Sequence, residues 1–299
     1  MDDVSVEMGL SNRPERVLAG TSVGGSHSNP YGSDQPVECK MMNPSLSARA
    51  ALISVLVLCS STLSAQSAKK LQPFTASGVV LDTKGKPLEG ARVRLRADFV
   101  YGRAEVTTGA DGRYIISDLI KATYRAEAYV ERDYAGTTVC QRLAMPKLTD
   151  YNSFPVSQGA ERNFRWQLTG KIGYTDTYFG ATIMVANTYL YAKTAKAVEL
   201  RLTPTGPLLD GNPGAVIVRP VSFDQPGSYK RVYDLPLGTY KLKAVLIGKD
   251  GSRTPIKTAT RASDTPQEEA EAVWRSTNNC GFGNYSGVEA LGLWLEKPR

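Results

Sequence analysis

From Gly78 onward the chain repeatedly alternates apolar and polar residues with a period of two, the pattern of a half-buried strand. Ala91, Val93 and Leu95 alternate with Arg92, Arg94 and Arg96, and the run Tyr124 to Tyr129 alternates in the same way. Two hairpin signals separate such runs. Asp82 to Gly85 lies between Val79–Leu81 and Ala91–Leu95, and Asp111-Gly112 precedes Tyr114, Ile115 and Ile116. Each turn carries a glycine where the backbone is expected to need a positive φ. Pro87 has no N–H to give a ladder, so it belongs in a connector and not inside a strand. The pattern predicts a small antiparallel sandwich, with Tyr114 and Tyr124 as half-core aromatics whose hydroxyls tie down strand ends.

A weaker echo follows in the second half. Asp118-Leu-Ile-Lys-Ala-Thr-Tyr124-Arg-Ala-Glu-Ala-Tyr aligns with Asp234-Leu-Pro-Leu-Gly-Thr-Tyr240-Lys-Leu-Lys-Ala-Val. Ala197–Leu202 is the counterpart of Ala91–Arg96, and Asp224-Gln-Pro-Gly227 of the Asp-Gly turn, whereas the first hairpin has no clear copy. The simplest architecture is all-β, with two tandem Ig-like or transthyretin-like antiparallel sandwiches. The expected domains are a sandwich at 74–142, a linker at 143–160 rich in turn-forming residues, and a second sandwich at 161–299. In the latter, Phe164, Trp166 and Leu168 start the pattern and Val288 to Leu295 close it. One short helix is expected from Thr265, with Pro266 at its first position and acids in its first turn.

Residues 1–41 are rich in Ser, Gly, Asn and Pro and are expected to be disordered or an over-long reading frame. Residues 42–65 combine Arg49, an apolar run from Ala50 to Leu58 and a Leu63-Ser64-Ala65 ending, which predicts a signal peptide cleaved between Ala65 and Gln66. Residues 66–73 form a short basic linker. A retained signal segment would make the protein membrane-anchored. Cleavage would raise the net charge from +7 to +9, because four basic residues leave with six acidic ones. It would also remove His27, the one histidine, and leave Cys140 and Cys280 as an even pair able to form a disulfide in an oxidising compartment.

The motif Gly-x-Val-x-Asp-x-x-Gly-x-Pro-Leu-x-Gly-Ala-x-Val, followed by Thr-x-x-Asp-Gly-x-Tyr-x-Ile-x-x-Leu, resembles the carboxypeptidase regulatory-like domain. The resemblance covers roughly residues 75 to 136 and implies a transthyretin-like sandwich grouped with carbohydrate-binding-like folds. It implies fold and an exported location more than activity, since the family's domain is an accessory to a separate zinc catalytic domain.

A chain whose only histidine is His27 has few catalytic routes. No Ser-His-Asp or histidine-based zinc site can be assembled from residues 66–299. Gly20-Thr-Ser22-Val-Gly24 matches a nucleophile elbow but lacks the flanking strand and helix. Asp82, Asp111, Asp118 and Asp234 stand at strand-end turns, where Asp serves local backbone bonds. The expectation is a non-enzyme with no cofactor and no metal. Positive charge suggests acidic partners, with Arg92, Arg94 and Arg96 on one face and Lys241 with Lys243 on the corresponding strand of the second domain. Tyr174, Tyr178, Tyr189 and Tyr191 are candidates for stacking on sugars. The favoured reading is a secreted, periplasmic or envelope binding or structural module for cell-surface polysaccharide. Its rivals are an adaptor for an envelope protein, an accessory to a separately encoded hydrolase, and a self-crosslinking adhesin repeat with a Lys–Asn or Lys–Asp amide bond. Nucleic acid is not expected.

Overall fold

The computed structural model describes residues 71–298 apart from 100–102, 225–226, 228 and 281–284. The expected leading extension at 1–41, the signal segment at 42–65 with its Ala65–Gln66 cleavage position, and most of the 66–73 linker lie outside the described residues. So do Gln225 and Pro226 of the second-half turn.

The first nine strands are β1 (Ala76–Leu81), β2 (Arg92–Ala97), β3 (Arg103–Thr107), β4 (Arg113–Ile116), β5 (Thr123–Tyr134), β6 (Thr137–Arg142), β7 (Phe154–Pro155), β8 (Ala160–Glu161) and β9 (Phe164–Arg165). They form one sheet in the order β4-β1-β8, with β9 also on β1, and a second in the order β3-β2-β5-β6, with β7 on β5. The alternation read from the sequence places Val80, Val93, Leu95, Tyr114 and Ala126 in one core between these sheets. Gly85 and Gly112 do adopt positive φ, +80° and +68°.

The other nine are β10 (Ala181–Ala186), β11 (Ala195–Pro204), β12 (Ile217–Ser222), β13 (Tyr229–Leu235), β14 (Tyr240–Gly248), β15 (Arg253–Ile256), β16 (Thr258–Ala259), β17 (Ala270–Ala272) and β18 (Leu291–Leu295). Their sheets are β13-β10-β18-β16 and β12-β11-β14-β15, with β17 on β14. The topology repeats that of the first nine. β10 to β15 take the places of β1 to β6, and the core lies again between the two sheets, around Ile183, Leu200, Leu202 and Leu242. Most pairings are antiparallel, but β8 and β9 run parallel to β1, and β18 runs parallel to β10.

The aligned Asp–Tyr segments are structural equivalents. Asp118 and Asp234 both hold a left-handed backbone, with φ of 56° and 62°. The hydroxyl of Tyr124 donates to the carbonyl of Ile120 at 3.2 Å, and that of Tyr240 to Pro236 at 2.6 Å, each four residues back. Tyr114 likewise donates to the carbonyl of Arg162 at 2.6 Å. In both repeats an Asp-Leu turn thus delivers a buried tyrosine that closes its own loop.

Two expectations need correction. Residues 143–160 are not a spacer, because Leu143, Met145, Phe154, Val156 and Ala160 are buried in the first core, as are Phe164, Trp166 and Leu168. Pro, Ser and Asn punctuate this stretch without erasing its spaced apolar residues, and those residues complete the first sandwich. The expected helix from Thr265 is also absent among the described residues, which hold only two 3-10 turns, at Leu148–Tyr151 and Thr188–Leu190. Ala270, Ala272 and Trp274 are buried while Glu271 and Val273 are exposed, a period of two. Pairing with β14 overrides the local helix signals.

The sandwiches share a seam. Tyr134 and Val139, from β5 and β6, belong to the second core, and Leu208 and Leu209 pack against both cores. Cys140 on β6 is disulfide-bonded to Cys280, which precedes β18, with Cα atoms 5.2 Å apart. The amide of Gln141 donates to the carbonyl of Phe179 at 3.0 Å and accepts the indole N–H of Trp166 at 2.6 Å. A fully buried glutamine thereby ties both halves together with its polar atoms satisfied.

Candidate functional site

The arginine stripe lies on β2 with its side chains away from the core, as the alternation requires. Register then gives its middle member counter-charges. Arg94 stands opposite Glu105 on β3 and Glu127 on β5, so this cation meets an acid on both sides of the ladder. Arg94 Nε donates to Glu105 at 2.8 Å, and Arg92 pairs with Glu131 at 2.6 Å. Arg96 is in register with Arg103 and Arg125.

The stripe is also partly roofed. Arg94 donates to the carbonyl of Cys280 at 3.3 Å and lies over the Tyr129 ring, and its own side chain is only 14% exposed. Tyr129 points away from the core yet is buried beneath this roof; its hydroxyl donates to Glu127, and burial pushes its ionisation well above the ordinary tyrosine value. Of the open cationic face expected from Arg92, Arg94 and Arg96, the Arg92 and Arg94 part is therefore a cross-strand set of ion pairs, with Arg94 under the second sandwich's Cys280 segment.

Lys241 and Lys243 lie on β14, which is the counterpart of β5 and not of β2. They share one acid, Glu269, at 3.3 and 3.1 Å, and both lysines hold the Glu269 carboxyl below the usual range. The two basic groups belong to different ladders, each with its own counter-charge.

The four tyrosines separate. Tyr191 is buried and donates to the Glu296 carbonyl, so it anchors the chain after β18. Tyr189 is exposed on a 3-10 turn, and Tyr174 is exposed at the tip of the hairpin 171–178. Tyr178 lines a cleft, and two tyrosines not singled out in the sequence join it there, Tyr233 and Tyr285.

This cleft is built by Asp234. At a bulge in the β10–β13 pairing, Asp234 accepts the backbone N–H of Gly170 at 2.7 Å and that of Gly180 at 3.3 Å. A side chain at Gly180 would meet the Asp234 backbone at 2.6 Å, so only glycine permits this approach. Pinned at both ends, the hairpin 171–178 stacks the Tyr178 ring on Tyr233, centres 5.6 Å apart. Tyr285 forms another wall, with the Arg142 guanidinium over its ring, 4.8 Å from the centre. Asp176, Thr177, Thr182 and Ser286 add a carboxylate and three hydroxyls to a volume of about 230 Å³. Aromatic faces beside hydrogen-bonding groups suit a flat, polyhydroxylated ligand.

The four turn aspartates serve local structure. Asp82 accepts from the backbone of Lys84 and Lys86, Asp111 from that of Arg113, Asp118 from the Ser117 hydroxyl, and Asp234 from the two glycines. No lysine among the described residues is buried, so none stands where an internal Lys–Asn or Lys–Asp amide bond is sheltered from water. No helix among the described residues is long and apolar enough to cross a membrane.

Residues 75–141 match the family model of the carboxypeptidase regulatory-like domain. Among solved structures, the chain is similar to a leucine-rich repeat protein from Bacteroides thetaiotaomicron, with 12% identity, 68% of this chain and 25% of that chain covered, and a TM-score of 0.23. It is also similar to a DUF3823 family protein from Bacteroides uniformis, with 12% identity, 68% and 99% covered, and a TM-score of 0.19. The minor pilin GBS52 of Streptococcus agalactiae is similar at 12% identity, 75% and 96% covered, and a TM-score of 0.23. The chain thus spans a quarter of the leucine-rich repeat protein and nearly all of the other two. Likenesses of this size carry no argument about function. No curated protein matches the chain.

Proposed function

We propose that this protein works outside the cytoplasm as a non-enzymatic binding module, and that its ligand is a cell-surface polysaccharide held in the Tyr178–Tyr233–Tyr285 cleft. The cleft carries the reading, because it combines three aromatic rings with a carboxylate and three hydroxyls in one open concavity. Sugar rings present apolar C–H faces to aromatics and hydroxyls to polar edges, so both kinds of lining group have a use. The Cys140–Cys280 disulfide supports an oxidising location, secreted or in the cell envelope. The match to a regulatory-like domain supports a role without catalysis.

Affinity electrophoresis of the full-length protein in gels containing neutral polysaccharides tests this. Retardation is expected for the native chain and is expected to vanish in Tyr178→Ala and Tyr233→Ala, both of which alter partly exposed rings. Unchanged retardation in both variants, or none in the native chain, would overturn the cleft as the site. Repeated capture of one envelope protein in the absence of any saccharide retention would favour the adaptor reading.

A further inference from the structure

The cleft opens onto the outer face of the sheet β13-β10-β18-β16, and the register of that face is ordered. Tyr229 and Trp294 both pair with Ala186, so a small residue lies between two aromatics. One step along, Arg231 and Gly292 both pair with Met184. Farther along β13 comes Tyr233, where the cleft begins. Inward-facing Ile183, Val185 and Leu293 are fully buried, which confirms that this row faces the other way.

Two details make the face a platform. A side chain at Gly292 would come within 2.3 Å of the Trp294 ring, so the indole lies back across the glycine instead of standing out from the sheet. Tyr229 and Tyr233 are 44% and 45% exposed. They are four residues apart on one strand, a span of roughly 13 Å at the usual rise per residue, longer than a single sugar ring. Between them sits Arg231, its guanidinium over the Tyr229 ring with 5.1 Å to the centre and no carboxylate partner among the described residues.

We infer that this face extends the cleft into a groove for an extended, carboxylate-bearing polysaccharide, with rings stacked along Tyr233, Tyr229 and Trp294 and a uronate carboxylate held by Arg231. The inference rests on the cleft reading and deepens it from a saccharide to an anionic polymer. Charge complementarity selects this occupant. A planar guanidinium held over a tyrosine ring keeps its N–H edge for the fork geometry that a carboxylate accepts. Arg92 and Arg94 of the β2 stripe offer no such group, since Glu131 and Glu105 hold them.

The test uses the full-length protein with polygalacturonate, the same polymer after reduction of its carboxyl groups, and polyglutamate as a polyanion without sugar rings. The native chain is expected to bind polygalacturonate about tenfold more tightly than the reduced polymer, the factor that one charge-assisted hydrogen bond supplies. Arg231→Gln is expected to abolish that preference while leaving the reduced polymer bound. Tyr229→Ala is expected to weaken long chains but not a disaccharide, which the cleft alone can hold. Thermal melting of Arg231→Gln that matches the native protein makes a folding artefact visible if one occurs, and Gly292→Ala, which displaces the Trp294 ring, provides a second route to the same loss. Equal binding of the native chain to both sugar polymers, equal binding to polyglutamate, or an unchanged preference in Arg231→Gln would overturn the groove. The cleft reading would survive those results provided Tyr233→Ala still abolished binding of the reduced polymer, so the two failures are distinguishable.

Discussion

The hydroxyl of Tyr134 accepts the backbone N–H of Trp274 at 3.1 Å and donates to the carbonyl of Gly238 at 3.1 Å. Tyr134 ends the long strand β5 of the first sandwich, whereas both of its partners belong to the second. One side chain thus closes two backbone groups in a buried seam, where water cannot replace it. Tyr134→Phe keeps the ring in the second core but strands a donor and an acceptor. The expected loss is about 1–3 kcal/mol, measured as a lower midpoint in urea unfolding. An unchanged midpoint would show that the seam admits water.

The Cys140–Cys280 bond closes a loop with a sequence separation of 140. On the chain-entropy account, a loop of that length is stabilised by about 5 kcal/mol, and removing native disulfides usually costs about 2–5 kcal/mol. The double variant Cys140→Ser/Cys280→Ser should therefore melt at a lower temperature than the native chain, and added reductant should lower the native chain to match it without moving the variant. A native melt that reductant does not move would mean that the two thiols are not joined in the purified protein.

Glu105 carries the acid sensitivity of the arginine ladder. The hydrogen bond from Arg94 holds its carboxyl below the ordinary 4.5, against an opposing push from burial and with further help from the Arg94, Arg92 and Arg103 charges. A carboxyl depressed in the folded state stabilises above its unfolded value, and that contribution is lost as pH falls from about 4.5 through the lower folded value. Native protein should exceed Glu105→Gln in stability at pH 7, and the gap should close on acidification through that window. A gap independent of pH would assign the effect to packing.

The twin tyrosine corners should behave alike. Tyr124→Phe and Tyr240→Phe each delete one hydroxyl bond to a carbonyl four residues back. Each is expected to cost about 0.5–1.5 kcal/mol in denaturant unfolding. A cost in one repeat alone would show that the second corner is held by other contacts, such as the edge-on packing of Tyr240 against Trp274.

Much of the fold was legible because it depends on local regularities. Period-two alternation set the inward faces of β2 and β5 and, through its counterpart, of β11, glycines marked the turns, and the Asp-Leu…Thr-Tyr echo identified equivalent corners in both repeats. Local signals failed where a distant strand changed their meaning. The acids and proline after Thr265 promise a helix until Ala270 and Ala272 pair with β14. The arginines of β2 look like an open cationic face until register sets Glu105 and Glu127 opposite Arg94, Glu131 pairs with Arg92, and Arg94 meets Cys280.

The sequence by itself determined the strand class, the family resemblance over residues 75–136, and the supply of tyrosine and charge. It could not determine which tyrosines meet. Tyr178, Tyr233 and Tyr285 are far apart along the chain, and they converge because Asp234 pins a hairpin to a bulge and a disulfide fixes a segment of the second repeat against the first. Alternation is a property of neighbours in sequence, whereas register, counter-charge and cleft geometry are properties of chain segments brought together by burial, and only the tertiary structure decides those.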